Sequence, residues 1–183
     1  HDAALAHIGG YSGYTEADYA ELLARRTPMP VCQISDDMAV EPNCVYLIPP
    51  NAQLTIEKAR LRLTGFSEPH GFRRPIDVFF RSLAADQGTN PACVVLTGTG
   101  GDGTEGLRAI KEAGGLTVVQ EPETAKYDGM PKSAVATGLV DRILPVPDMP
   151  VAIRDYFERA QASVANLPDV TDFLLGVCEH LRH

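Results

Sequence analysis

No apolar run in this 183-residue chain approaches the roughly 20 residues that a membrane span needs, which excludes insertion into a bilayer by a helix. Basic clusters are missing too. Lys and Arg number 16 against 24 Asp and Glu, the formal charge is −8, and the only basic doublets are Arg25-Arg26 and Arg73-Arg74. Gripping a phosphate backbone needs clustered cations, so nucleic acid is excluded as a partner. The four cysteines, Cys32, Cys44, Cys93 and Cys178, form no C-x-x-C pair, which removes zinc-ribbon and thioredoxin readings. Cys93 sits in an apolar run and reads as a small core residue. The N-terminus lacks a basic-then-apolar leader, and the expected compartment is the cytoplasm.

What is present is an alternation of strand and helix signals. Val45 to Ile48 is a short apolar run stopped by Pro49-Pro50. Leu54 to Ile56 and Leu61 to Leu63 flank a polar connection and predict a β-hairpin. Pro75 opens a helix with Ile76, Phe79, Phe80 and Leu83 on one face. Ala92 to Thr97 is a near-continuous apolar run, the mark of a strand buried on both faces of a parallel sheet. A glycine-rich loop, Gly98 to Gly103, follows, then a helix ended by Gly114-Gly115 and a second buried strand, Leu116 to Val119. Pro131 to Thr137 and Met149 to Ala160 predict helices, and Arg142 to Leu144 a last strand. Tyr14 to Arg26 fits a helix with Tyr19, Leu22 and Leu23 inward. The expected fold class is α/β: a doubly wound, mostly parallel sheet flanked by helices, with a β-hairpin, in a single domain. Residues 1–30 are expected to be an irregular N-terminal segment, 31–165 the domain proper, and 166–183 a tail helix.

A glycine loop between a buried strand and a helix lies at the carboxyl edge of a parallel sheet, where ligands and catalytic groups gather. Asp102 is its only charged residue. One reading makes it a cap of the helix that follows, with Glu105 three residues on as a capping-box partner. The other makes it an acid that fixes the tautomer of a catalytic histidine. Gly98, Gly100 and Gly103 also satisfy G-x-G-x-x-G, and Glu121 stands where a ribose-binding acid would, so a dinucleotide site is a third possibility. Against it, a carboxylate beside the helix N-terminus would compete with a pyrophosphate for the same amides.

From Cys93 to Leu107 the sequence resembles the signature segment of CheB, the chemotaxis protein-glutamate methylesterase. The likeness continues through Ala109 to Gly115, Val119 to Pro122, Tyr127 to Ala134 and Thr137 to Val140. Upstream it takes in Val45 to Pro50 and Arg74-Pro-Ile-Asp77 with Phe79 and Ser82. It implies a Ser-His-Asp hydrolase without cofactor or metal, which hydrolyses glutamate methyl esters, and in some members deamidates glutamine, on the cytoplasmic helices of chemoreceptors. Asp102 then matches the triad aspartate. Thr99 falls where many members place a methionine whose backbone N–H binds the oxyanion, and a backbone donor tolerates that change. Leu22 to Val31 and Phe173 to Arg182 resemble CheB domains fused to a CheR-type methyltransferase, so a covalently linked methyltransferase domain is expected after residue 183.

The family's G-A-S-[TA]-G-G serine turn, and the strand ending in Gln-His that supplies the base, have no clear counterpart. In one alignment His1-Asp2 begins just past the family histidine. In the other Ile8 to Ala17 is an altered serine turn, with Ser12 displaced by one position and Tyr11 in its place. Ser12 is the candidate nucleophile, set against a plain loop serine, and His7 the candidate base, set against a lone surface histidine. His70 lies in a loop away from either alignment, His180 and His183 fall on the tail helix, and Ser82 and Ser133 read as helix-surface or capping serines. Losing a triad member removes most of the catalysis, so little esterase activity is expected of this polypeptide as written. An inactive receptor- or partner-binding module of the same fold is the other expectation.

Overall fold

The computed structural model describes residues 5–7, 15–69, 72–87 and 91–160. In chain order these form β1 (Leu5–His7), α1 (Glu16–Ala24), β2 (Val31–Gln33), β3 (Met38–Ala39), β4 (Val45–Leu47), β5 (Ala52–Glu57), β6 (Arg60–Gly65), α2 (Pro75–Gln87), β7 (Ala92–Val95), α3 (Thr104–Glu112), β8 (Leu116–Gln120), α4 (Gly129–Ala136), β9 (Arg142–Leu144) and α5 (Met149–Ala160).

β4 lies between β1 and β2, and β8 between β7 and β9, every pair parallel. The two central strands are the most buried, with all three residues of β4 and all five of β8 inside. Side chains alternate across a strand, and the two faces line separate cores. Val45 and Leu47 of β4 join Leu116 and Val118 of β8, Tyr19 and Leu23 of α1, and Met149 and Ile153 of α5. Tyr46 and Ile48 join Cys93 and Val95 of β7, Phe79 and Phe80 of α2, and Leu107 and Ile110 of α3. Strands of both parallel sheets contribute to both layers, and helices lie on either side. That is the doubly wound arrangement expected.

The hairpin β5–β6 pairs Glu57 with Arg60, and Lys58 and Ala59 make its two-residue turn at φ 51° and 57°. Both turn residues are left-handed, the geometry that suits the twist of a hairpin. α2 lies against it: Ser82 Oγ accepts the Ile56 N–H at 3.1 Å and donates to Phe79 O at 2.8 Å. Ser82 is therefore a bridge from helix to sheet rather than a plain surface residue. β1, β2 and β3 were not foreseen. Each has two or three residues, too few for a period of two to show.

Candidate active site

The loop from β7 to α3 is fixed first at its base. The Thr97 N–H donates to Gln120 Oε1 at 2.9 Å, and Gln120, 3 % exposed, ends β8. The Thr97 hydroxyl donates to Tyr127 O at 3.1 Å and accepts the Tyr127 N–H at 2.8 Å. The Gly98 N–H donates to Tyr127 O, and the Met130 N–H to Gly98 O, each at 2.9 Å. The loop is thereby stitched to the strand beside it and to the start of α4. Thr97, Gln120 and Tyr127 were not singled out from the sequence; a glutamine closing an otherwise apolar strand was the available sign.

Beyond that base the chain turns through Gly100 and Gly103, at φ 85° and 97°, where a side chain would be strained. Ser133 Oγ donates to Gly100 O at 3.2 Å, and Thr104 Oγ1 to Gly101 O at 2.9 Å. Ser133, read as a helix-surface or capping serine, is a buttress of the loop. Thr99 is exposed, and its N–H has no hydrogen-bond partner among the described residues.

Asp102 is half-buried, and its carboxylate reaches another helix. Oδ2 accepts the Ile76 N–H and Oδ1 the Asp77 N–H, both at 3.0 Å. Asp102 therefore closes the N-terminus of α2. The expected cap of α3 with Glu105 does not form: the cap residue of α3 is Gly103, without a side-chain hydrogen bond, and Glu105 is exposed. The physical reason is that the first turn of α2 offers orphan amides, whereas the left-handed turn at Gly103 separates Asp102 from the amides of α3. Burial pushes the Asp102 carboxyl above the usual carboxylate range. The Asp77 and Ile76 amides oppose that, the charge of Asp77 adds to it, and the net direction is upward.

Asp77, absent from the sequence-derived candidates, is 1 % exposed. Its Oδ1 accepts the Gly106 N–H, in the first turn of α3, at 2.7 Å. Its Oδ2 is buried without a hydrogen bond among the described residues, 3.7 Å from Arg74 Nη1. The same Arg74 nitrogen lies 3.5 Å from Gly101 O. Nothing in the Arg74-Pro-Ile-Asp77 segment as a sequence marks a buried acid.

Asp102, Thr99, Gly98, Gly100, Gly101 and Gly103 thus share one loop. Ser12, His70, His180 and His183 lie outside the described residues. His7 ends β1, and only its backbone is described. Residues 8–14, outside the described set, are bracketed by β1 and α1. At the N-terminus of α3 the Gly106 amide already serves Asp77, and the carboxylate of Asp102 precedes it, where it would repel a pyrophosphate.

The family model for CheB methylesterase matches residues 7–153. The chain belongs to the CheB methylesterase family. A 104.1 kDa uncharacterized protein of Rhodobacter capsulatus is 43% identical over 154 residues, covering 82% of this chain and 16% of that protein. The protein-glutamate methylesterase/protein-glutamine glutaminase of the group 3 operon of Rhizobium meliloti is 38% identical over 136 residues, covering 74% of this chain and 38% of that protein. The chain therefore spans well under half the length of these relatives. The crystal structure of the Thermotoga maritima CheB methylesterase catalytic domain superposes with a TM-score of 0.70 at 26% identity, covering 84% of this chain and 82% of that one. In this CheB-family domain no helix among the described residues is long and apolar enough to cross a membrane.

Proposed function

We propose that the domain is a protein-glutamate methylesterase of the Ser-His-Asp type, acting on glutamyl methyl esters of chemoreceptor helices, with glutamine deamidation at the same site. One observation carries the reading: a half-buried carboxylate, Asp102, held by backbone amides on the loop whose exposed Thr99 N–H is unengaged. An anchored acid beside a free amide donor is what ester hydrolysis requires for orienting a base and receiving an oxyanion. Ser12 is assigned as nucleophile and His7 as base. Ser12 follows β1 and precedes α1 in the sequence, among Gly9, Gly10 and Gly13, the residue types that a nucleophile turn favours. This reading runs against the expectation of little activity drawn from the sequence.

The second reading is a docking module without turnover. It is favoured by the path of the chain from α1 into β2, which gives no strand after Ser12 to carry the base, while β1, which ends in His7, precedes Ser12.

Release of methanol from a methylated receptor fragment separates the two. The esterase reading expects turnover that falls by roughly a thousandfold or more in Asp102→Asn. It also expects turnover to stop in Ser12→Ala. Turnover indifferent to both substitutions sinks it, and receptor binding without any methanol establishes the docking module. A linked methyltransferase domain and a cytoplasmic site of action belong to the same proposal.

A further inference from the structure

The two acids at the α2–α3 junction hold each other's helices. Asp102, just before α3, accepts amides from the first turn of α2, and Asp77, in the first turn of α2, accepts an amide from the first turn of α3. The exchange is reciprocal, and both ends meet at one residue: the Asp77 N–H grips Asp102 while the Asp77 side chain grips Gly106. The helices come very close here. A Cβ on Gly106 would stand 2.6 Å from Phe80 Cβ and 3.0 Å from Asp77 Cα. Such a junction leaves the Asp102 carboxylate little freedom to turn.

Ordinary capping does not need this arrangement. A buried carboxylate is costly, and an asparagine at position 77 could accept the Gly106 amide without charge. Here one oxygen of Asp77 is left without a hydrogen bond, with Arg74, 60% exposed, as its nearest cation. We propose that Asp77 is a positioning residue for Asp102, pinning α3 at Gly106 and setting both the place and the charge environment of the acid on the loop. The charged groups around Asp102 are Asp77 on α2, Arg74 preceding α2, and the exposed Glu105 on α3.

This assignment rests on the esterase reading for its catalytic meaning, but not for its test. NMR of the chain reads the Asp102 carboxyl titration and the amide protons of Ile76, residue 77 and Gly106 without turnover. Asp77→Asn keeps an acceptor for Gly106 and removes a like charge, so Asp102 titrates at lower pH with the Ile76 amide unmoved. Asp77→Ala removes the acceptor, so the Ile76 and Gly106 amides shift and exchange faster. In the methanol assay, kcat falls between about 10- and 100-fold in Asp77→Ala with KM nearly constant, and Asp77→Asn restores most of it. An Asp102 titration identical in wild type and Asp77→Asn overturns the proposal. Should Asp77→Ala fail to fold, that comparison still decides. NMR shifts as expected, with no methanol from any form, uphold the positioning role and defeat the esterase reading.

Discussion

The two ends of α3 treat a carboxylate in opposite ways. At the far end Asp141 meets Lys111, in the last turn of α3, and the Thr117 N–H at 3.0 Å, with the Thr117 hydroxyl 2.9 Å away. Burial pushes the Asp141 carboxyl up, but Lys111 and Thr117 outweigh it and the net direction is down. At the loop end Asp102 is also desolvated and also accepts amides, yet its neighbour is another acid and the net direction is up. A cation at a helix C-terminus and an acid at a helix N-terminus both suit the helix dipole, so the dipole does not account for the contrast. The neighbours do. The Asp141 end carries a stabilising set of partners, and the Asp102 end keeps a carboxylate less comfortable than it could be, the pattern that the esterase reading of the loop requires.

The largest effect expected from perturbing this pair of ends is steric. A Cβ on Gly115, where α3 hands over to β8, would stand 2.3 Å from Pro91 O and 2.7 Å from Ile110 Cγ2. Backbone cannot yield as a side-chain tip can, so Gly115→Ala is expected to cost about 3 kcal/mol in denaturant unfolding. Gly106→Ala, at the loop end, is expected to cost a similar amount. The two differ in reach: only Gly106→Ala should disturb the Asp102 titration, because only Gly106 sits in the junction that holds the acid. Equal disturbance by both would mean that the ends of α3 are not independent.

That division was only partly legible from the sequence. The buried strands β4, β7 and β8 and the hairpin were readable because apolar runs and alternation report burial directly. The glycine loop and Asp102 were readable as a site because a polar turn after a buried strand lies at the sheet edge. The partner of Asp102 was not. A capping box predicts a partner three residues on, whereas the amides that Asp102 accepts come from positions 25 and 26 residues upstream in the chain. Asp77 stayed hidden for the same reason, since its reading depends on a helix contact that no local pattern encodes. Asp141 and Thr117, 24 residues apart, were likewise invisible as a pair.

The next effect is electrostatic and changes sign between the ends. Asp141→Ala leaves the buried Thr117 amide without its acceptor and should cost about 2 kcal/mol at pH 7. Since the folded state lowers the Asp141 carboxyl, its stabilisation is present above the unfolded value of about 3.9 and is lost as pH falls through the folded value. The Asp102 carboxyl is raised, so its contribution is fullest below about 3.9 and is lost as pH rises through the folded value. Urea midpoints across pH should therefore show Asp141→Ala converging on wild type toward acid, and Asp102→Asn gaining on wild type as pH rises out of the acid range. Parallel curves for both variants would remove the electrostatic distinction between the ends.

The smallest effect isolates what the cation alone contributes at the Asp141 end. Lys111 is 41% exposed, so solvent screens its attraction to Asp141 and a long side chain must be ordered to make the contact. Lys111→Met leaves both Thr117 contacts to Asp141 in place and should cost only about 0.5 kcal/mol at low salt. That cost should shrink further at high ionic strength, while the loss in Asp141→Ala stays nearly constant, because a buried amide without an acceptor is not screened. If Lys111→Met instead cost as much as Asp141→Ala and responded as strongly to salt, the ion pair rather than Thr117 would be what lowers the Asp141 carboxyl.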